Sequence, residues 1–210
     1  MEKRDFLSEL IEERPELAAC APEIRRAFSL LCSCYRDGGK LLICGNGGSA
    51  ADSEHIVGEL MKEFMKRRPL PEELMRRLRA EGVRGERLAE GLQGALPALA
   101  LSGAPALSSA YMNDAEPELV FAQQVVGYGR PGDTLLALST SGNSENILFA
   151  LHAARAAGLH TIGLTGEDGG AMRGLCDVCI RAPARSTPKV QEKHLPIYHA
   201  LCAMLEAEFF

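Results

Sequence analysis

Tryptophan is absent from this chain, aromatic residues make up only 5% of it, and no apolar run approaches the roughly 20 residues that a membrane span requires. Without bulky rings, a core must be built from Ala, Leu, Val and Ile. At 46% apolar content over 210 residues there is enough material for one domain of ordinary to large size. Positive charge is in deficit: the formal balance is -5 with a pI near 5.6, which argues against nucleic acid as the main partner. The first residues, MEKRDFLSELIEERPEL, are charged and amphipathic and lack the apolar centre of a secretion signal. The expected location is therefore cytoplasmic, with no membrane partner. The seven cysteines are odd in number and scattered through apolar runs such as LLCSCY and LLICG, which argues against a disulfide framework. Cys176 and Cys179 form a CxxC, but no second pair accompanies it, and it opens a strand-like run. Those thiols are expected to be structural.

What the chain does contain is a regular alternation. Apolar spacing predicts helices over 4–18 and 21–37, and the continuous run Leu41 to Cys44 reads as a buried strand. A glycine-bearing loop then feeds a helix to about Phe64. Strands are expected at Ala95 to Leu101, Thr134 to Ser139, His160 to Thr165 and Cys176 to Arg181. Between them lie helices at Ala106 to Met112, Glu116 to Tyr128, Asn143 to Ala157 (closed by Gly158) and a short one at Gly170 to Leu175. The last helix is expected over Thr187 to Glu208, with Ser186 or Thr187 as N-cap, Pro188 in the first turn and a kink at Pro196. The stretch 66–94 is different: rich in Arg and Glu, with Pro69 and Pro71, it reads as an inserted helical excursion with a solvated face. The pattern predicts an α/β fold. A five-stranded parallel sheet is flanked by helices in a Rossmann-like three-layer sandwich, with N-terminal helices and that insertion, all within one domain spanning 1–210.

In such folds ligands bind beyond the carboxyl ends of the strands. Two loops there have anion-binding chemistry. Gly45-Asn46-Gly47-Gly48-Ser49 lets the backbone approach a ligand and opens a helix, whose free N–H groups and dipole favour negative charge. It is not the GxGxxG fingerprint, and no P-loop Lys follows, which weakens a nucleotide reading. Ser139-Thr140-Ser141-Gly142-Asn143-Ser144 offers four hydroxyls in six residues at the start of another helix. One helix needs one cap, so four hydroxyls exceed the structural need and suit the oxygens of a phosphomonoester.

Proton-transfer groups follow. His55 and Glu59 stand four residues apart, hence on one helix face, one to three turns past the first loop. Gln191, His194 and His199 share the last helix, with Gln191 and His199 about 80° apart around it. Singly, each reads more readily as an ordinary helix residue; together with two anion loops they suggest a base and an acid beside a bound sugar phosphate.

CGNGGSAADSEH, LSTSGN, LTGEDGG and TPKVQEKHLPIYH together resemble the SIS (sugar isomerase) domain phosphoheptose isomerases over residues 1–65 and 95–210. That resemblance implies aldose–ketose isomerisation of sedoheptulose 7-phosphate to heptose 7-phosphate. It carries the sugar phosphate to Gly47, Gly48, Ser49, Ser139, Thr140, Ser141 and Ser144, and further substrate contacts to Asn46, Asn113, Asp114 and Gln191. It makes Glu59 the base and His199 the acid/base. It implies a homotetramer with active sites shared between subunits and no required cofactor, although some members carry zinc at the positions of His55, Glu59, Gln191 and His199. Two departures stand out: the 66–94 stretch, and Pro188 where some relatives have an Asp. The alternatives are a non-catalytic SIS regulator that binds a sugar phosphate, and an isomerase for another phosphosugar. Presence of both Glu59 and His199 favours the enzyme.

Overall fold

In β1 (Leu41–Gly45) every residue is buried, and successive side chains point to opposite faces of the sheet. Leu41 and Ile43 join one core, Leu42 and Cys44 the other. The same split divides Leu136 and Leu138 from Leu135 and Ala137 in β3 (Thr134–Leu138). A strand buried on both faces needs a helical layer on each side, which a parallel sheet provides. The computed structural model describes residues 5–210 and has this form. Its sheet runs β2-β1-β3-β4-β5, all parallel, with β2 at Ala98–Ala100, β4 at His160–Thr165 and β5 at Val178–Arg181.

One face is covered by α1 (Phe6–Glu13), α2 (Ala21–Arg36), α3 (Gly48–Met61) and α9 (Thr187–Phe209). The other is covered by α7 (Val120–Tyr128) and α8 (Glu145–Ala156). Between α3 and β2 the 66–94 stretch forms two short helices, α4 (Glu72–Arg79) and α5 (Val83–Gly91). They pack mainly on each other. α6 (Pro105–Asp114) leads from β2 toward α7.

Several boundaries differ from the sequence reading. The helix expected over 4–18 is broken at Pro15, because proline cannot donate to the ladder and forces Arg14 out of helical geometry, to φ -132°. Its first residue, Arg4, lies outside the described residues. β2 is shorter than expected, since Leu101–Gly103 turns away as a 3-10 segment. Ser186 occupies the N-cap of α9, but its side chain makes no capping bond. α9 runs on through Pro196 to Phe209. Burial pushes the Cys44 and Cys202 thiols up to about 12 and raises Cys176 and Cys179, so these sulfurs behave as small apolar groups.

One ion pair ties the layers together. Arg68, wholly buried, donates from Nε to Glu206 Oε1 at 2.7 Å, and both side chains are at most 2% exposed. Glu206 also accepts the backbone N–H groups of Phe64, Met65 and Lys66 at 2.8 to 3.2 Å. Burial alone would raise the Glu206 carboxyl. The Phe64 and Met65 amides and the Arg68 guanidinium outweigh it and hold the group below its ordinary 4.5. Glu206→Ala would leave a buried cation unpartnered, so a loss of about 3–5 kcal/mol is expected in urea unfolding at pH 7. Because the folded value is the lower one, the contribution is fully present above the ordinary value and fades as pH falls through the folded value. The gap between wild type and variant should therefore narrow under acid; a gap that widens there would contradict this assignment.

Candidate active site

β1 and β3 are neighbours in the sheet although β2 lies between them in sequence. The chain reverses direction of travel across the sheet there, and the loops that leave the two strands face each other across the resulting crevice. In register, Gly45 pairs with Leu138, so 45–49 and 139–144 start side by side. Asn46 and Asn146 exchange two amide hydrogen bonds of 2.9 Å, joining the first loop to the first turn of α8.

Between the loops is a cavity of about 270 Å³ lined by Asn46, Gly47, Gly48, Ser49, Ser139, Thr140, Ser144, Thr187 and Gln191. Three helices begin at its wall: α3 after Gly47, α8 after Ser144 and α9 at Thr187. None of the three is closed by its N-cap side chain. Three helix dipoles converging on a cavity whose lining has no Lys or Arg make a place suited to an anion. Gly47 starts α3 at φ 55°, a conformation that suits glycine. At Gly48 a methyl group would collide with the Gln191 side-chain amide, which closes the cavity from α9. The Ser139 and Ser144 hydroxyls lie 3.1 Å apart.

Not every expected residue is here. Ser141 is exposed, and its hydroxyl accepts the Asn143 N–H at 3.2 Å, making a local turn instead of cavity wall. Asn113 and Asp114 end α6, bonded to each other at 2.8 Å on the exposed surface and outside the cavity lining. Thr187, read as a cap, is instead cavity wall and stands 3.5 Å from Thr140. Asn146 had no signal beyond its place in the first turn of a helix.

Farther along α3 the residues expected to transfer protons meet. His55 Nε2 donates to Glu59 Oε1 at 3.1 Å, and His199 Nε2 reaches the same nitrogen at 3.4 Å. The Glu59 side chain is 13% exposed, and its other oxygen accepts from Lys62 Nζ at 3.2 Å. Tyr198 donates to Asp52 at 3.1 Å, and its hydroxyl stands 3.0 Å from His55 Nδ1. Burial, then the neighbouring His55, lowers the His199 pKa against the opposing pull of Glu59 and Asp52. His199 is thus neutral at pH 7 and can both take and give a proton. Burial raises Asp52. Asp52 was findable as a residue three before His55 on the same face; the Tyr198 contact is tertiary and has no local signature. His194 plays another part. It is fully buried, bonded through Nε2 to the Thr165 carbonyl at 3.2 Å, and burial lowers its pKa to about 4. That neutral ring fastens α9 to the end of β4.

Of the four donors that the resemblance offers to zinc, His55, Glu59 and His199 stand together, at 3.1 and 3.4 Å, and Gln191 belongs to a different hollow. Gln191 lines the anion cavity, whereas His199 lines a separate hollow with Phe6, Leu10, Phe64 and Met65. Among the described residues, no three His, Cys, Asp or Glu side chains form a metal-holding group.

Comparison with known proteins agrees with this geometry. The SIS domain family model matches residues 5–99 and 84–166, two stretches that overlap at the end of the 66–94 excursion. The phosphoheptose isomerase of Rhodospirillum rubrum is 40% identical over 190 residues, covering 90% of this chain and 88% of that protein. That of Nitratiruptor sp. is 38% identical over 205 residues, 96% of each. The solved phosphoheptose isomerase of Neisseria gonorrhoeae superposes with a TM-score of 0.74 at 32% identity, covering 95% of this chain and 94% of that one. With the parallel sheet, its two anion loops and near full-length similarity all in agreement, the chain belongs to the SIS-domain phosphoheptose isomerase family.

Proposed function

We propose that this protein interconverts sedoheptulose 7-phosphate and the corresponding aldoheptose 7-phosphate. The observation that carries the reading is the meeting of Glu59 and His199 on one imidazole, at 3.1 and 3.4 Å, on the same helices that wall the anion cavity. The cavity holds the phosphate through neutral donors and helix dipoles. Glu59 takes a proton from C1 of the ketose and returns it to C2. His199 moves the hydroxyl proton from O1 to O2, and an enediol lies between the two steps. Both transfers are assigned to side chains, so the reaction as proposed requires no cofactor.

The active unit is read as a homotetramer with shared sites. In one chain, Ser49 and Glu59 are ten residues apart on α3, about 15 Å along the axis. The anion cavity and the proton cluster line different hollows. Met65, 48% exposed, lines the same hollow as His199, an apolar side chain that a neighbouring subunit would cover. Residues 1–210 are read as one SIS domain interrupted by the 66–94 excursion, since β1 and β2 on either side of it pair directly. Among the described residues no helix is long and apolar enough to cross a membrane, and a cytoplasmic site of action belongs to the same reading.

Glu59→Gln should keep sugar-phosphate binding and lose at least about 100-fold in turnover, with solvent deuterium no longer entering the substrate. Unchanged exchange would remove Glu59 as the base, and wild-type binding without any exchange would mark a sensor. Co-expression of Glu59→Gln with Ser139→Ala/Ser144→Ala chains should restore part of the activity if sites are shared; mixed oligomers as inactive as their parents would place each site within one chain. Dialysis against EDTA should leave turnover intact, and a loss reversed by added zinc would overturn the cofactor-free mechanism.

A further inference from the structure

We infer that Arg68 is a positioning residue for the proton-transfer pair: its guanidinium, clamped between the last carbonyls of α3 and the Glu206 carboxylate of α9, sets where Glu59 stands relative to His199. The inference rests on the assignment of those two residues above.

A helix leaves its last four carbonyls without intrahelical donors. At the end of α3 two of these are the carbonyls of Glu59 and Leu60. Arg68 supplies both, Nη2 to Glu59 O and Nη1 to Leu60 O, each at 2.7 Å. The backbone that bears the proposed base is therefore held directly by this guanidinium. Its Nε reaches Glu206, which lies seven residues, or two turns, beyond His199 on α9. Glu206 in turn holds the N–H groups of Phe64, Met65 and Lys66, and the Phe64 ring lies 5.5 Å from the His199 ring. The guanidinium carbon lies over the Phe210 ring, 5.0 Å from its centroid. All three guanidinium nitrogens are thus engaged: two toward α3, one toward α9. A lysine ammonium, a point charge on a flexible stem, cannot span these three acceptors in that geometry. The same residue marks where the 66–94 excursion leaves and returns, because the Arg68 carbonyl accepts the Gly94 N–H at 2.7 Å. Ordering of the excursion is thereby linked to the spacing of the two catalytic helices.

The test uses full-length Arg68→Met and Arg68→Lys, steady-state kinetics and the imidazole NMR signals of the five histidines. For both variants kcat should fall about 10- to 100-fold, since sub-ångström to ångström misplacement of a catalytic group costs that much, while KM changes little because the anion cavity is remote. The His55 and His199 ring signals should shift, and those of exposed His152 and His160 should stay. A folded variant that keeps wild-type kcat, or whose His55 and His199 signals coincide with those of wild type, overturns the inference. The NMR arm reads placement without turnover, so it separates this inference from the proposed reaction: a wild type that fails to isomerise refutes only the latter. Arg68→Lys retains a cation for Glu206 and is read if Arg68→Met does not fold. Loss of fold in both would make Arg68 a folding residue and count against a positioning role.

Discussion

The parallel pairing of β1 with β3 is the constraint on which the molecule turns. Five residues in register, Leu41 with Thr134 through Gly45 with Leu138, oblige the chain to leave both strands at the same end of the sheet. β2 and its preceding excursion are built on one side of β1, and β4 and β5 on the other side of β3. The crevice between the two departing loops is what remains uncovered. The helix N-termini that open there owe their orientation to the sheet, and the anion cavity follows without any basic side chain.

α3 and α9 carry the rest of the chemistry because each spans from that crevice to the far side of the layer. Their near ends supply Gly48, Ser49 and Gln191 to the cavity; farther along they supply His55, Glu59 and His199. Three contacts fix these helices, two of them between α3 and α9 and one from α9 to the sheet. Tyr198 meets Asp52 and His55 midway, His194 fastens α9 to β4, and the buried Arg68–Glu206 pair joins the two helices beyond Glu59 and His199. A buried ion pair is a weak source of net stability, but it is demanding about geometry. That trade suits a place where two helices must hold His199 within 3.4 Å of His55, which in turn bonds Glu59.

Much of this was legible in the chain. Buried strands declare themselves by short continuous apolar runs, and the loops after Cys44 and Leu138 by glycines and hydroxyls in excess of any capping need. Glu59 and His55 are bound to share a face by their four-residue spacing. Where the structure adds to or departs from that reading, local physics decided. Pro15 broke an otherwise continuous amphipathic pattern, and Ser186 stands at its cap position without bonding there. Ser141 turned its hydroxyl to its own backbone neighbour, as short polar side chains commonly do. Asn113 and Asp114 ended on the exposed tip of α6.

The sequence by itself determined the alternation of strand and helix, the two glycine- and hydroxyl-rich loops and the shared face of His55 and Glu59, because each depends on residues within a few positions of one another. Only the tertiary structure decided that Glu59 and His199, 140 positions apart, meet on His55, that Tyr198 and Asp52 steady that ring, and that Arg68 and Glu206 bind α3 to α9. Nothing in a helical period records which partner helix a face will meet or at what height. That is settled by how two cores close around one sheet, and the cost of burying any charge without its partner removes the other arrangements.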